Sequence, residues 1–254
     1  MAQLVNGTVD AATGSETQAL LNSVAEPRLR IVMTLSECRY RIVARRSAGI
    51  RRVSDLRKKK IGATPNTSSQ YYLAGMLRIA GLHESDIQLV PLEGQEMPAA
   101  LEGGIVDAVS IWEPHAQNSL EVLGRDAVVL EDPSAYTERF NLNTTTDVLA
   151  DPARRLALAR FLQAIVDASA RIRTRPAELI PSLAPRIGLT ERTVSAVWSR
   201  FRFPAALSGG LQTSLSEVEP WVAAAQKRQA RSRVELASLT DSSLIAEARK
   251  TREK

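Results

Sequence analysis

Short apolar segments alternate with amphipathic segments from the start of the chain to Ala150, and this alternation restricts the fold more than any other feature of the sequence. It predicts an α/β fold with a parallel or mixed sheet. One intervening segment, Ser68–Ala80, has apolar residues at helical spacing, with Thr67 or Ser68 as N-cap and Gly81 as the glycine that follows a helix. The predicted strands are Val9–Ala12, Arg30–Met33, Tyr40–Ala44, Ile61–Ala63, Ile87–Pro91, Ala108–Ile111, Ala127–Leu130 and Asn143–Leu149.

From Asp151 onward the patterns are helical. A long helix is predicted from Asp151 to about Thr174, because apolar residues recur every three or four positions. Shorter helices are predicted near Pro176–Leu183, Thr190–Arg200, Leu215–Gln229 and Ser242–Arg249.

The composition argues against several classes of function. The 254 residues include one cysteine, Cys38, and two histidines, His83 and His115, so we expect no internal disulfide, no metal site and no cofactor. No apolar run approaches the roughly 18–20 residues that a membrane span needs, so we expect no membrane insertion. The net charge is +5, but aromatic residues make up only 4% of the chain, which is thin for stacking nucleic acid bases. We interpret the basic run Arg57–Lys60 as solvated surface and expect no nucleic acid partner.

A short pattern occurs twice. The segment from Leu4 to Ala11 is similar to the segment from Leu101 to Ala108, 97 positions later, and each predicts a helix end, a glycine and then a strand. Chance accounts for part of this likeness, because such junctions are common in α/β proteins. The other interpretation is two similar lobes, each presenting the carboxyl end of a strand to a ligand.

Several motifs, in this order, carry a family resemblance. They are Gly49–Gly62 (GIRRVSDLRKKKIG), Thr64–Ser69 (TPNTSS), Ala99–Ala108 (AALEGGIVDA) and Trp112-Glu113-Pro114. Together they resemble the solute-binding proteins of nitrate, sulfonate and taurine ABC transporters, a branch of the type II periplasmic-binding fold. The resemblance implies two lobes of mixed sheets with flanking helices and a helical C-terminal part.

The resemblance also implies a division of the chain. Lobe one would comprise residues 1–48, lobe two residues 49–140, and residues 141–254 would return to lobe one and add C-terminal helices. Family members usually begin with about two further βα units, so lobe one would be incomplete at its N-terminus. The first residues show no signal peptide. The resemblance implies a periplasmic protein, whereas a genuine start at Met1 would imply a cytoplasmic one.

The function that the resemblance implies is capture of a small anionic or zwitterionic solute in a cleft between the lobes. A sulfonate, nitrate or taurine would suit, and ABC permease subunits would receive it. The chain would act as a monomer, and it would not be an enzyme.

One candidate ligand-binding segment lies between a predicted strand and a predicted helix; its residues are Asn66, Thr67, Ser68 and Ser69. Exposed N–H groups at a helix start, assisted by hydroxyls, suit an anion. Ordinary N-capping explains the same residues. The resemblance favours ligand contact.

The remaining candidates follow two other predicted strands. Trp112 would form a wall of the site, and Glu113 would pair with an amine or hydrogen-bond a polar group. Packing between the lobes explains Trp112 equally well, and compensation of the helix dipole explains Glu113 equally well. Gly14, Ser15 and Glu16 occupy the matching turn of the internal repeat. Weaker candidates, expected to make local backbone hydrogen bonds instead, are Ser36, Glu37, Thr144 and Thr145.

Other classes of function stay open. An enzyme of the same fold, such as a cysteine-dependent desulfinase or a thiamine-pyrimidine-forming enzyme, would need a reactive thiol, and Cys38 is the only thiol. We expect Cys38 to be buried and inert. A cytoplasmic sensor domain or a truncated, non-binding fragment are further alternatives.

Overall fold

The structure is a computed structural model that describes residues 1–250, and the side chains of residues 1–247. The end of the predicted C-terminal segment, residues 251–254, lies outside the described residues. The strands are β1 (Ala12–Ser15), β2 (Leu29–Arg39), β3 (Arg41–Arg45), β4 (Lys60–Ala63), β5 (Gln88–Pro91), β6 (Ala108–Ile111), β7 (Ala127–Leu130), β8 (Thr137–Thr145) and β9 (Phe201–Arg202).

The helices surround these strands. They are α1 (Ala2–Val5), α2 (Glu16–Asn22), α3 (Ser68–Ile79), α4 (Met97–Glu102), α5 (His115–Leu123), α6 (Thr146–Ala150), α7 (Pro152–Thr174), α8 (Pro176–Arg186), α9 (Glu191–Trp198), α10 (Leu211–Ala225), α11 (Arg233–Ala237) and α12 (Ser243–Lys250).

The strands form two sheets, and the five-stranded sheet is of mixed direction. One has the order β1-β8-β2-β9, and the other has the order β5-β4-β6-β3-β7. In the five-stranded sheet, β4 runs parallel to β5 and β6, while β3 runs antiparallel to β6 and β7. The predicted α/β class with mixed sheets and flanking helices is therefore confirmed.

Two predicted strands are wrong in position. The strand predicted at Val9–Ala12 lies at Ala12–Ser15, because those residues pair with Asn143–Phe140 of β8. The strand predicted at Asn143–Leu149 ends at Thr145, where the Thr145 hydroxyl accepts a hydrogen bond from the Val148 N–H and starts α6. A threonine suits a strand and a helix cap alike, so the pattern alone does not show where one element ends.

Contacts divide the described chain into two units. Unit 1 contains residues 1–37, 139–179 and the chain from 202 on, and unit 2 contains residues 38–138 and 180–201. The division predicted from the family resemblance, at 48/49 and 140/141, stays a prediction. The boundaries between units fall within β2, β8, α8 and β9, so continuous elements pass from one unit to the other.

The five-stranded sheet of unit 2 places several loops at one edge. β4 and β6 are parallel, so the loop after β4, which leads to α3, and the loop after β6, which leads to α5, leave the sheet at the same edge. Arg41 opens the antiparallel strand β3 opposite Ile111, the last residue of β6. Three stretches of chain thus meet at the edge where open α/β sheets bind ligands.

Candidate functional site

The start of α3 is held to the sheet by Ser69. The Ser69 hydroxyl donates to the backbone carbonyl of Ser110 in β6 and accepts a hydrogen bond from the Thr64 N–H after β4. Of the two N-caps that the sequence allows, the structure uses Thr67: its hydroxyl accepts from the Ser69 N–H at 3.2 Å and donates to the Thr64 carbonyl at 2.7 Å. Asn66 adopts a left-handed conformation with a φ of 56°. The loop that begins α3 is therefore fixed by hydrogen bonds within itself and to β6.

Two backbone N–H groups at the start of α3 are available as hydrogen-bond donors. In the described part of the chain, neither the Thr67 N–H nor the Ser68 N–H donates a hydrogen bond. They lie at the positive end of the dipole of a 12-residue helix. Unpaired N–H groups at such a position suit an anion.

The hydroxyl of Ser68 belongs to a buried polar cluster that the sequence analysis missed. Its oxygen lies 2.8 Å from Oε1 of Glu138 and 2.8 Å from the hydroxyl oxygen of Tyr40, which lies 2.9 Å from the same Glu138 oxygen. Burial raises the pKa of Glu138, and the hydrogen bonds from Ser68 and Tyr40 offset part of that rise. Glu138 is 70 positions from Ser68 along the chain, so no local pattern joins them.

Glu113 lies in a second buried cluster, with two guanidinium groups. Its Oε1 is 2.8 Å from Nη2 of Arg41 and 3.3 Å from Nε of Arg200, and its side chain is 2% exposed. Its Oε2 accepts a hydrogen bond from the Gln117 N–H in the first turn of α5. Burial raises the pKa of Glu113, while the charges of Arg41 and Arg200 lower it in part. The structure thus gives Glu113 protein partners, and its predicted contact with a ligand amine stays a prediction.

Trp112 lies beside the core of unit 2. It packs against a cluster of buried side chains that includes Met97 and Val109, and its ring meets His115 edge-on with the ring centres 6.4 Å apart. It is part-exposed, so its predicted role as a wall of the site stays a prediction.

The candidates Gly14, Ser15 and Glu16 belong to unit 1. Gly14 and Ser15 lie in β1, and the Ser15 hydroxyl caps α2 by accepting from the Gln18 N–H. Glu16 is fully buried; its carboxylate accepts from the Arg139 N–H at 2.9 Å and from the Ser214 hydroxyl at 2.7 Å. These bonds join α2 to β8 and α10, and the predicted ligand contact of Gly14, Ser15 and Glu16 stays a prediction.

A pocket of about 130 Å³ in unit 2 is lined in part by Tyr40 of the Ser68 cluster and Arg200 of the Glu113 cluster. Its walls carry both signs of charge, and Arg200 pairs with Glu131 at 2.5 Å. The lining residues, none of which is a predicted site residue, are Arg39, Tyr40, Glu131, Pro133, Ser199 and Arg200.

Cys38 is buried, as expected, with 3% of its surface exposed. Burial, together with the carboxylates of Glu138 and Glu113, raises the pKa of its thiol to about 12. A thiol in these surroundings stays protonated at neutral pH and is a poor nucleophile.

Two further features bear on other classes of function. The described residues contain no group of three or more His, Cys, Asp and Glu residues placed to hold a metal ion. Among the same residues, no helix is long and apolar enough to cross a bilayer.

The model of the NMT1/THI5-like family matches residues 1–179 of the chain. The chain belongs to this family. A curated relative from Bacillus subtilis (strain 168), named as an aliphatic sulfonates-binding protein, is 35% identical over 107 residues, which make up 41% of the chain. The match spans 32% of that relative's length, and the match to a second relative of the same name, from Escherichia coli (strain K12), spans 48%.

Solved structures share the fold. The alkanesulfonate-binding protein SsuA from Xanthomonas axonopodis pv. citri, bound to MOPS, superimposes with a TM-score of 0.78 at 20% identity, covering 95% of this chain and 83% of that one. A mutant of the desulfurization enzyme DszB, in complex with biphenyl-2-sulfinic acid, gives 0.71 at 17% identity, covering 98% and 88%. Binding proteins and an enzyme therefore share this fold, and the resemblance drawn from the sequence motifs is confirmed.

Proposed function

We propose that this chain is the solute-binding component of an ABC importer and that it binds a small anion of the sulfonate class at the start of α3. The observation that carries the proposal is the pair of unpartnered N–H groups of Thr67 and Ser68, at the positive end of α3. The names of the two curated relatives support the choice of a sulfonate. Nitrate and carboxylates offer similar acceptor oxygens and are the competing ligands.

The partners and the location follow from the same proposal. A solute-binding component delivers its ligand to separate permease subunits, and a solved relative from Escherichia coli is named as periplasmic. We therefore propose a periplasmic location and a permease partner for this chain. No reaction on the ligand is needed.

A thermal-shift screen tests whether the chain binds such a solute. The probes are methanesulfonate, taurine, nitrate and acetate, each at increasing concentration. A ligand at about 100 times its dissociation constant adds about 2.7 kcal/mol to the free energy of unfolding, which raises the melting temperature. We expect the rise with at least one sulfonate; a cooperative melt that no probe shifts contradicts the proposal.

A matched pair of variants tests the site. Ser68→Pro removes the N–H and the hydroxyl, whereas Ser68→Ala removes only the hydroxyl. Proline suits the first position of a helix, and Thr67 already has the extended conformation that precedes proline, with φ −123° and ψ 175°. A hydrogen bond to a charged group contributes about 1.5–3 kcal/mol, so calorimetry should show Ser68→Pro binding at least tenfold more weakly than Ser68→Ala. Equal affinities would place the anion elsewhere.

The surroundings of Cys38 do not favour a cysteine-dependent reaction. Cys38 is buried, and its raised pKa opposes formation of the thiolate. Its Sγ lies 3.6 Å from the carbonyl oxygen of Arg39. We therefore do not propose the desulfinase activity.

A further inference from the structure

Three oxygen atoms of unit 2 form a closed ring of short contacts. The Tyr40 hydroxyl, the Ser68 hydroxyl and Oε1 of Glu138 are separated by 2.8, 2.8 and 2.9 Å. Each distance is that of an O–H···O hydrogen bond, so each contact needs a hydrogen between its two oxygens.

Counting those hydrogens fixes the protonation of the carboxyl group. Tyr40 and Ser68 supply one hydrogen each. If Glu138 were ionised, two hydrogens would have to serve three contacts, and one pair of oxygens would face each other below 3 Å with nothing between them. A protonated Glu138 supplies the third hydrogen, and the ring closes with every hydroxyl both donating and accepting.

Among the residues whose side chains the structure describes, no arginine or lysine forms an ion pair with Glu138. Glu138 is 9% exposed, and its pKa is shifted by burial and by the hydrogen bonds with Ser68 and Tyr40. The titratable groups that face it are the Tyr40 hydroxyl and the Cys38 thiol, and burial raises the pKa of both beyond their ordinary values, so both are neutral at pH 7. The rings of Tyr72 and Tyr136 pack against Tyr40 and exclude water from this side. An isolated buried carboxylate is costly, and the neutral acid is favoured.

Ser68 connects this ring to the start of α3. Its hydroxyl is one member of the ring, while its N–H is one of the two donors offered to an anion. A negative charge on Glu138 would lie one hydrogen bond from Ser68, in surroundings of low polarity, and would repel an anion bound there.

We propose that Glu138 is held as a neutral carboxylic acid and that anion binding at the start of α3 therefore depends on the proton it carries. The second half of this inference rests on the proposed function. Glu138 acts through Ser68 and is a positioning residue.

The first experiment needs no ligand. The free energy of unfolding of the wild type and of Glu138→Gln is measured by urea titration from pH 4 to pH 9. Glutamine keeps the shape and cannot ionise. Because the folded state holds the proton more tightly than the unfolded state, the wild type should lose stability relative to Glu138→Gln as pH rises above the unfolded pKa. The folding equilibrium constant should change by up to tenfold per pH unit until the folded pKa is reached.

The exposed Glu102→Gln serves as the matched control. The wild type should not lose stability relative to Glu102→Gln as pH rises, in contrast to the loss expected relative to Glu138→Gln. If the difference between the wild type and Glu138→Gln is independent of pH, or if the wild type gains stability relative to Glu138→Gln as pH rises from 4 to 6, Glu138 is ionised in the folded protein and the inference is wrong.

The second experiment measures the linkage with methanesulfonate, which stays ionised over this pH range. Calorimetry on the wild type should show an affinity that falls up to tenfold per pH unit above the folded pKa of Glu138, and Glu138→Gln should bind with the same affinity at every pH. A pH-independent affinity in the wild type over that range overturns the linkage. If methanesulfonate binds neither protein at any pH, the proposed function fails for this sulfonate and the linkage fails with it. The unfolding experiment still decides the protonation of Glu138.

Discussion

Two buried glutamates show that their surroundings, rather than the residue type, set their charge. In the described part of the chain, the hydrogen-bond partners of Glu138 are the hydroxyls of Tyr40 and Ser68, and burial raises its pKa. Glu219, in unit 1, is also buried, yet hydrogen bonds from Arg231 and Arg228 outweigh the effect of burial and bring its pKa down to about 2. The guanidinium groups lie 2.9 and 2.5 Å from its oxygens. One glutamate is thus a neutral acid and the other a fixed anion.

Glu219→Gln should therefore lose stability only where Glu219 is ionised. A carboxyl with a lowered folded pKa stabilises the protein above its unfolded pKa of 4.5, and this contribution is lost as pH falls towards 2. We expect the variant to be less stable by about 3 kcal/mol at pH 7 and the difference to shrink towards pH 2. Urea titration at several pH values, with Glu102→Gln as control, measures this. A difference that stays constant over the range would show that the charge of Glu219 contributes nothing.

At the scale of the element, α3 depends on one buried serine. The Ser69 hydroxyl makes two hydrogen bonds, one to the segment after β4 and one to β6. Ser69→Ala leaves the Thr64 N–H without this partner in the interior, so we expect a loss of about 1–3 kcal/mol in the free energy of unfolding. The exposed Ser85→Ala is the control and should change stability by less than about 0.5 kcal/mol. Equal effects of the two substitutions would contradict the role of Ser69.

Elements with a strong local pattern were predictable. The apolar spacing between Ser68 and Ala80 and the glycine at 81 gave α3 within one residue, and β6 and β7 were predicted at their observed bounds. The positions of β1 and β8 were not, because a strand's register depends on its partner, which lies more than a hundred residues away.

The candidate site was predictable only where it depends on a local sequence pattern. Thr67 and Ser68 follow a strand and begin a helix, and that local arrangement predicts exposed N–H groups. Tyr40 and Glu138 reach Ser68 only because the fold joins segments 28 and 70 positions away along the chain. The pairing of Glu113 with Arg200 depends equally on the return of residues 180–201 to unit 2.

At the scale of the whole molecule, each unit is assembled from separate stretches of chain. Unit 2 needs residues 180–201 as well as 38–138, and unit 1 needs three stretches. The family match extends to residue 179 and so covers parts of both units. The site that we propose nevertheless lies within unit 2, at the start of α3. The central claim is that two backbone N–H groups there bind the anion.

Backbone NMR of the full chain titrated with methanesulfonate tests that claim most directly. If the anion binds at the start of α3, the amide protons of Thr67 and Ser68 should show large, saturable downfield shifts, because each gains a hydrogen bond to a charged acceptor. Their shifts should follow the same binding curve as the calorimetric heat. Saturable binding by calorimetry without movement of either amide signal would contradict the account.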